Sequence, residues 1–195
     1  MRKTFFKAVV LLCAALLAFQ LAAEISVGST PPAIQATDWI NSAPLTLGGL
    51  KGRVVILEFW ATWCPPCRSS IPHLITLSKS YAGKPVTFIS LTDESKDKVT
   101  QFMDSDAAMR MPYPVACGSS SSSAYGVRGI PHAFVVGKDG KIVWRGHPMS
   151  SGFKPAIDRA LDGTTGGGDS TTPGDGDGDG GGDDRGGREA DGRAG

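Results

Sequence analysis

The stretch "RVVILEFWATWCPPCRSS", Arg53 to Ser70, decides the fold. Its first part, Arg53 to Trp60, is β-branched and almost continuously apolar, the pattern of a strand covered on both faces. Directly after it stand Cys64 and Cys67, three residues apart, with Pro65 and Pro66 between them. Beyond the cysteines Ile71, Leu74, Ile75, Leu77 and Ser78 recur at helical spacing, so a helix is expected from Cys64 to about Tyr81. A sulfur that opens a helix lies near unpaired backbone N–H groups and the positive end of the macrodipole, both of which favour an anion. Thiolates in such motifs form with pKa values of about 3.5 to 7.5, against about 8.5 for a free cysteine. The three-residue step sets Cys67 one turn along on the same face, within reach of a disulfide. The two prolines offer no N–H, but they stiffen the turn and suit the first positions of a helix.

Three chemistries compete for such a pair. Zinc needs four ligands, commonly a second Cys-x-x-Cys or a closely spaced His pair, and His73, His132 and His147 are scattered. No metal is therefore expected. A purely structural disulfide would close a very short loop and remove little unfolded-state entropy. Redox exchange is the favoured reading, with no cofactor beyond the Cys64–Cys67 disulfide itself.

The flanking sequence extends the pattern. "PVTFISLT" from Pro85 reads as a second buried strand, and "DESKDKVTQFMDS" as an exposed helix with Val99, Phe102 and Met103 inward and Asp93 or Ser95 as its cap. "YPVACGSSSSSAYGV" passes from an extended piece through a serine-rich loop into a short helix. "HAFVVGKDGKIVWRG" reads as a hairpin turning at Lys138-Asp139-Gly140, and "SSGFKPAIDRALDG" as a closing helix with Pro155 in its first turn. Residues 24–50, rich in Pro and Gly, form a lead-in with a short strand or hairpin. Together these predict an α/β domain over residues 24–162, with a mixed central sheet, helices on both faces and that N-terminal extension.

Length and charge bound the rest. The chain has 195 residues, 41% of them hydrophobic, which suits one domain with appendages. A net charge of +1 with no basic stripe argues against a dedicated nucleic-acid binder. That value hides an asymmetry: Gly163 to Gly195 carries eight acids and three bases, so the tail is −5 and the remainder +6. Residues 163–195 are almost devoid of apolar side chains and are expected to be disordered. "DGDGDG" at Asp175–Gly180 resembles the opening of a calcium loop, but the twelfth position is Gly186 where a glutamate is required. Residues 1–23 begin with Arg2, Lys3 and Lys7 and continue apolar from Ala8, which reads as a secretory signal peptide or a retained membrane anchor. Cys117 is read as a buried small hydrophobe, with a third redox thiol as the sharper alternative.

At "FWATWCPPC" (Phe59 to Cys67) and "YGVRGIPHAFVVGKDGKIVWRG" (Tyr125 to Gly146) the chain resembles the TlpA/ResA-type thioredoxin-like proteins, which are extracytoplasmic thiol–disulfide oxidoreductases of thioredoxin fold. The resemblance covers about Ser29 to Leu161. It implies that Cys64 is the attacking thiol, Cys67 the resolving thiol and Pro131 a cis-proline facing them. By the same resemblance Ile130, the residue before that proline, tunes substrate choice and potential, and its backbone is placed to pair with an extended substrate.

Glu58, six residues before Cys64, matches the buried carboxylate of thioredoxin that helps deprotonate the second cysteine. Desolvation would raise its pKa toward neutrality; a solvent-facing glutamate is the plainer alternative. Trp60 and Trp63 are read as packing and as the apolar rim of the site. Trp63, together with Pro65 and Pro66, is the better candidate for substrate contact. His132 is read as a hairpin histidine with a structural hydrogen bond, and Arg68 as added positive potential or a solvated side chain. The implied partners are a protein disulfide or dithiol and a membrane thiol donor. Relatives of this type act chiefly as reductants, some in cytochrome c maturation. A peroxide reductase would need a proline before the cysteine that this stretch lacks. A non-catalytic binding module, holding peptides or copper-transfer partners in the groove at Pro131, is the alternative from another class.

Overall fold

In the computed structural model the described residues are 25–163. The expectations for residues 1–23 and for the tail lie outside them. β1 (Asp38–Ile40) is followed by β2 (Val54–Phe59), α1 (Pro65–Ser80), β3 (Val86–Leu91), α2 (Lys96–Ser105), β4 (Val115–Cys117), α3 (Ser121–Ala124), β5 (His132–Val136), β6 (Ile142–Gly146) and α4 (Phe153–Asp162). The strands form one sheet in the order β1-β4-β3-β2-β5-β6. β2 runs parallel to β3 and antiparallel to β5, β3 runs parallel to β4, and the outer pairs are antiparallel. The sheet is therefore mixed, as expected.

The central position of β2 explains its composition. All six of its residues are buried, because strands flank both edges and packed layers cover both faces. Val54 and Ile56 join a cluster with Ile71, Leu74 and Leu77 of α1, Val99 and Met103 of α2, and Phe153 and Ile157 of α4. Val55, Leu57 and Phe59 face the other cluster, with Tyr125, Phe134 and Ile142. That second face is covered by the lead-in segment, through Ile34, Leu45, Leu47 and Leu50 and the 3-10 turn at Gly48–Leu50, and by Tyr125 just after α3.

Several local expectations hold for identifiable reasons. Ser95 caps α2, its hydroxyl accepting the Lys98 N–H at 3.4 Å. The β5–β6 hairpin turns at Gly140, whose φ of 79° is open to glycine at no steric cost. α4 ends on Gly163 in the left-handed conformation, with Pro155 in its first turn. Of the two forms expected of the lead-in, the short strand is the one found: β1 pairs with β4, 75 or more residues away in sequence, with Trp39 opposite Ala116. One detail differs: the short helix lies within the serine run itself, as α3, because Ser121 is buried and its hydroxyl ties to Gln35 of the lead-in. α1 continues through Pro72 unbroken.

Candidate active site

Cys64 is the N-cap residue of α1, with extended backbone at φ −90° and ψ 105°. Helices begin with four N–H groups lacking internal partners. Pro65 and Pro66 occupy the first two helical positions and carry no N–H, so the first donor the helix presents is that of Cys67. It points at Cys64 Sγ from 3.3 Å. The sulfur that would carry negative charge thus faces the one donor left at the helix start. Cys64 and Cys67 form a disulfide. Cys67 is fully buried, and Cys64 is 3% exposed.

The Ile130–Pro131 peptide is cis, as the resemblance implied. The Ile130 carbonyl oxygen lies 3.7 Å from Cys64 Sγ, which brings the backbone of that loop against the reacting sulfur. Trp63, Cys64, Pro65, Pro66 and Ile130 line a cleft of about 500 Å³ that also reaches Leu91 and Thr92. Every residue expected to touch substrate borders this cleft. Trp63 is 66% exposed at its rim, whereas Trp60 is buried against Phe102 and belongs to the core.

Glu58 occupies the face of β2 shared with Val54 and Ile56, the side on which α1 packs, and is 2% exposed. The solvent-facing alternative is excluded. One carboxyl oxygen accepts the Ser90 hydroxyl from neighbouring β3 at 2.7 Å, and the other has no partner among the described residues. Burial pushes the carboxyl up to about 7, with the Ser90 hydrogen bond opposing. A group poised at that value exchanges a proton near neutrality.

Other side chains settle into less direct places. Arg68 lies over the Phe102 ring at 5.6 Å and so packs on the face of α2. His132 departs from expectation: its buried Nε2 finds no hydrogen-bond partner among the described residues, and its ring packs on Phe134 at 5.0 Å. Strand position accounts for this, since His132 sits opposite Phe59 among aromatic side chains. Burial, with Arg145 and His147 nearby, lowers its pKa to about 4. Cys117 is fully buried in the core, and burial raises its thiol to about 11, as suits a small hydrophobe.

Two residues of the site escaped the sequence reading, Ser90 and Glu94. Ser90 meets Glu58 across the β2–β3 register, and Glu94 binds Thr62 in the turn before Cys64. Neither pairing leaves a local trace, since a serine in a strand and an acid before a helix are ordinary. The strand register brings Ser90 to Glu58, and the loops that follow β2 and β3 bring Glu94 to Thr62. Among the described residues no group of three His, Cys, Asp or Glu side chains is gathered as a metal site would require.

A Cys-x-x-Cys disulfide at the head of a helix, faced by a cis-proline loop beside a mixed sheet, defines the thioredoxin-like class of protein. The chain belongs to the Redoxin family, which it matches over residues 26–161. It is 31% identical over 120 residues to the thiol-disulfide oxidoreductase ResA of Bacillus anthracis, across 62% of this chain and 69% of that one. With ResA of Bacillus subtilis (strain 168) it shares 32% over 121 residues, across 62% and 66%. Among solved structures it resembles a thioredoxin-family thiol:disulfide interchange protein from Chlorobium tepidum TLS, with a TM-score of 0.56, 26% identity, and coverage of 72% of this chain and 99% of that one. The thioredoxin domain of a thiol-disulfide oxidoreductase from Bacteroides vulgatus matches in fold, with a TM-score of 0.60 at 20% identity, over 70% and 99%. The chain is a thiol–disulfide oxidoreductase.

Proposed function

We propose that the protein reduces protein disulfides outside the cytoplasm, with Cys64 attacking and Cys67 resolving. Cys64 thiolate attacks one sulfur of a target disulfide; a Cys64–target bond forms and the other target sulfur leaves as thiolate. Cys67, after losing its proton, attacks Cys64 Sγ and expels the second target sulfur. The target gains two electrons and two protons, and the Cys64–Cys67 disulfide remains. A thiol donor then resets the pair, and a membrane donor suits a chain whose apolar N-terminus directs it to or across a membrane.

Glu58 is the proton acceptor for Cys67 in this scheme, because a buried carboxyl near pKa 7 takes a proton without a large penalty. The Ile130 backbone and the Pro131 loop hold the extended target, and Trp63 with Pro65 and Pro66 covers its apolar side chains. The export reading is supported by the basic start and apolar run of residues 1–23. Among the described residues no helix is long and apolar enough to cross a membrane.

The observation that carries the reading is the Cys67 N–H aimed at Cys64 Sγ on the edge of an open cleft. Insulin reduction with dithiothreitol tests it. Turbidity well above background is expected, lost in Cys64→Ser. Cys67→Ser should accumulate a mixed disulfide through Cys64. A protein that binds peptide but gives no turbidity above background would instead be a binding module.

A further inference from the structure

The link from β3 to α2 holds Glu94, a carboxylate only 8% exposed. Oε2 accepts the Thr62 backbone N–H at 2.6 Å, and Oε1 accepts the Thr62 hydroxyl at 2.8 Å. Lys98 Nζ, in the first turn of α2, reaches Oε1 at 2.6 Å, and the Thr92 hydroxyl lies 3.5 Å from Oε2. The backbone of Glu94 is tied as well, its carbonyl accepting the Gly118 N–H at 2.8 Å. A buried carboxylate is costly unless its oxygens are filled by donors, and here they are.

What the carboxylate grips is two residues from the reacting sulfur. Cys64 N–H donates to the Ala61 carbonyl at 3.2 Å, so residues 61–64 form a tight turn, with Thr62 its second residue. Trp63, largely exposed, gives that turn little packing, and the prolines after Cys64 have no N–H with which to brace it. Ala61 and Cys64 at its ends are buried in the core, and between them Thr62 is tied to the fold by hydrogen bonds from its N–H and its hydroxyl.

We propose that Glu94 is a positioning residue for thiol exchange: by holding Thr62 at two atoms it fixes the 61–64 turn and keeps the Cys64 sulfur in line with the Cys67 N–H. The inference rests on the reading of Cys64 as the attacking thiol. Glu94 acts on that thiol in two ways of opposite sign. Its negative charge, acting through space, disfavours the thiolate, and Lys98 offsets this. Its grip on the turn favours the thiolate by maintaining the N–H alignment. The other charged groups on the neighbouring elements are Asp93 and Arg128, which line the cleft, Arg68 in the first turn of α1 and the buried Glu58 on β2.

The opposite signs make the inference testable. Alkylation of Cys64 in the reduced full chain is followed from pH 5 to 10, with the site read by peptide mass spectrometry and melting measured in parallel. In Glu94→Ala the ionisation midpoint of Cys64 should rise by about one pH unit, giving alkylation roughly tenfold slower well below the wild-type midpoint and several-fold slower at neutral pH, with the alkaline plateau unchanged. Glu94→Gln retains an acceptor for the Thr62 N–H and should recover part of the loss. Thr62→Ala, which removes one of the two bonds, should shift the midpoint in the same direction by less, and it carries the test if Glu94→Ala does not fold. Lys98→Ala, which keeps the grip on Thr62 and removes only the charge that offsets Glu94, should raise the midpoint by much less than Glu94→Ala does.

A midpoint that stays within about 0.2 in both Glu94→Ala and Thr62→Ala, or that falls, overturns the positioning role even if melting temperatures drop. A wild-type midpoint already near that of free cysteine would defeat the underlying reading of the site. A depressed wild-type midpoint that no variant moves defeats only the role of Glu94.

Discussion

Replacing Glu58 by Gln isolates the energetic cost of a buried carboxyl. The side chain is 2% exposed, and its pKa rises from an ordinary 4.5 to about 7. In the folded protein the carboxyl therefore holds its proton over a pH range in which the unfolded chain has lost it. Stability linked to this group is fully present below pH 4.5 and is lost as pH rises through 7. Above that value the ionised, desolvated carboxylate costs about 3 kcal/mol, at about 1.36 kcal/mol for each pH unit between the two values. Glutamine stays neutral at every pH. Its own cost, an amide N–H₂ with no partner beside Ser90, is the same in acid and in alkali. The gap in unfolding free energy between Glu58→Gln and wild type should thus move in favour of the variant by about 3 kcal/mol from pH 4 to pH 8.5. Urea unfolding of both oxidised proteins at the two pH values measures it. A gap that does not change with pH would mean that Glu58 ionises as freely as a surface acid, and its place in the proton transfer would fall with it.

Other expectations test separate parts of the structure. Ile71 is fully buried where α1 meets the sheet, so Ile71→Ala should lower stability by about 2–5 kcal/mol in chemical denaturation, with insulin reduction retained at low temperature. Cys117 is fully buried with its thiol pushed up to about 11, so native protein should not be alkylated there and Cys117→Ala should exchange at the wild-type rate. His132 is held neutral down to about pH 4, so stability is gained above the ordinary value near 6.5 and lost as pH falls toward 4. His132→Phe should be less sensitive to that acid range than wild type in parallel thermal melts.

The parts of the fold legible in sequence were those governed by local periodicity. The six buried residues of β2 announce themselves because flanking strands and two covered faces demand an unbroken apolar run. α1 shows through the spacing of Ile71, Leu74 and Leu77, and the β5–β6 hairpin through Gly140. Cys64 and Cys67 were legible because their effect is local, one helical start acting on one sulfur. What long-range register decides was not legible. The partner of β1 is β4 rather than a neighbouring strand, and no nearby residue encodes that choice. Glu94 meets Thr62 from 32 positions away, and Ser90 meets Glu58 from the same separation. His132 misled for a related reason: its neighbours in space are Phe59 and Phe134, so the ring packs among aromatics and its Nε2 has no partner among the described residues.

The central claim is that one backbone N–H, left by two prolines to serve a single sulfur, makes Cys64 acidic. A hydrogen bond to a charged acceptor contributes about 1.5–3 kcal/mol, or roughly one to two pH units on a thiol that otherwise ionises near 8.5. The pH dependence of Cys64 alkylation in the reduced wild-type chain measures this directly. A midpoint between roughly 6.5 and 7.5 is expected. A midpoint near 8.5, with Cys67 unreactive toward the Cys64 mixed disulfide, would contradict it.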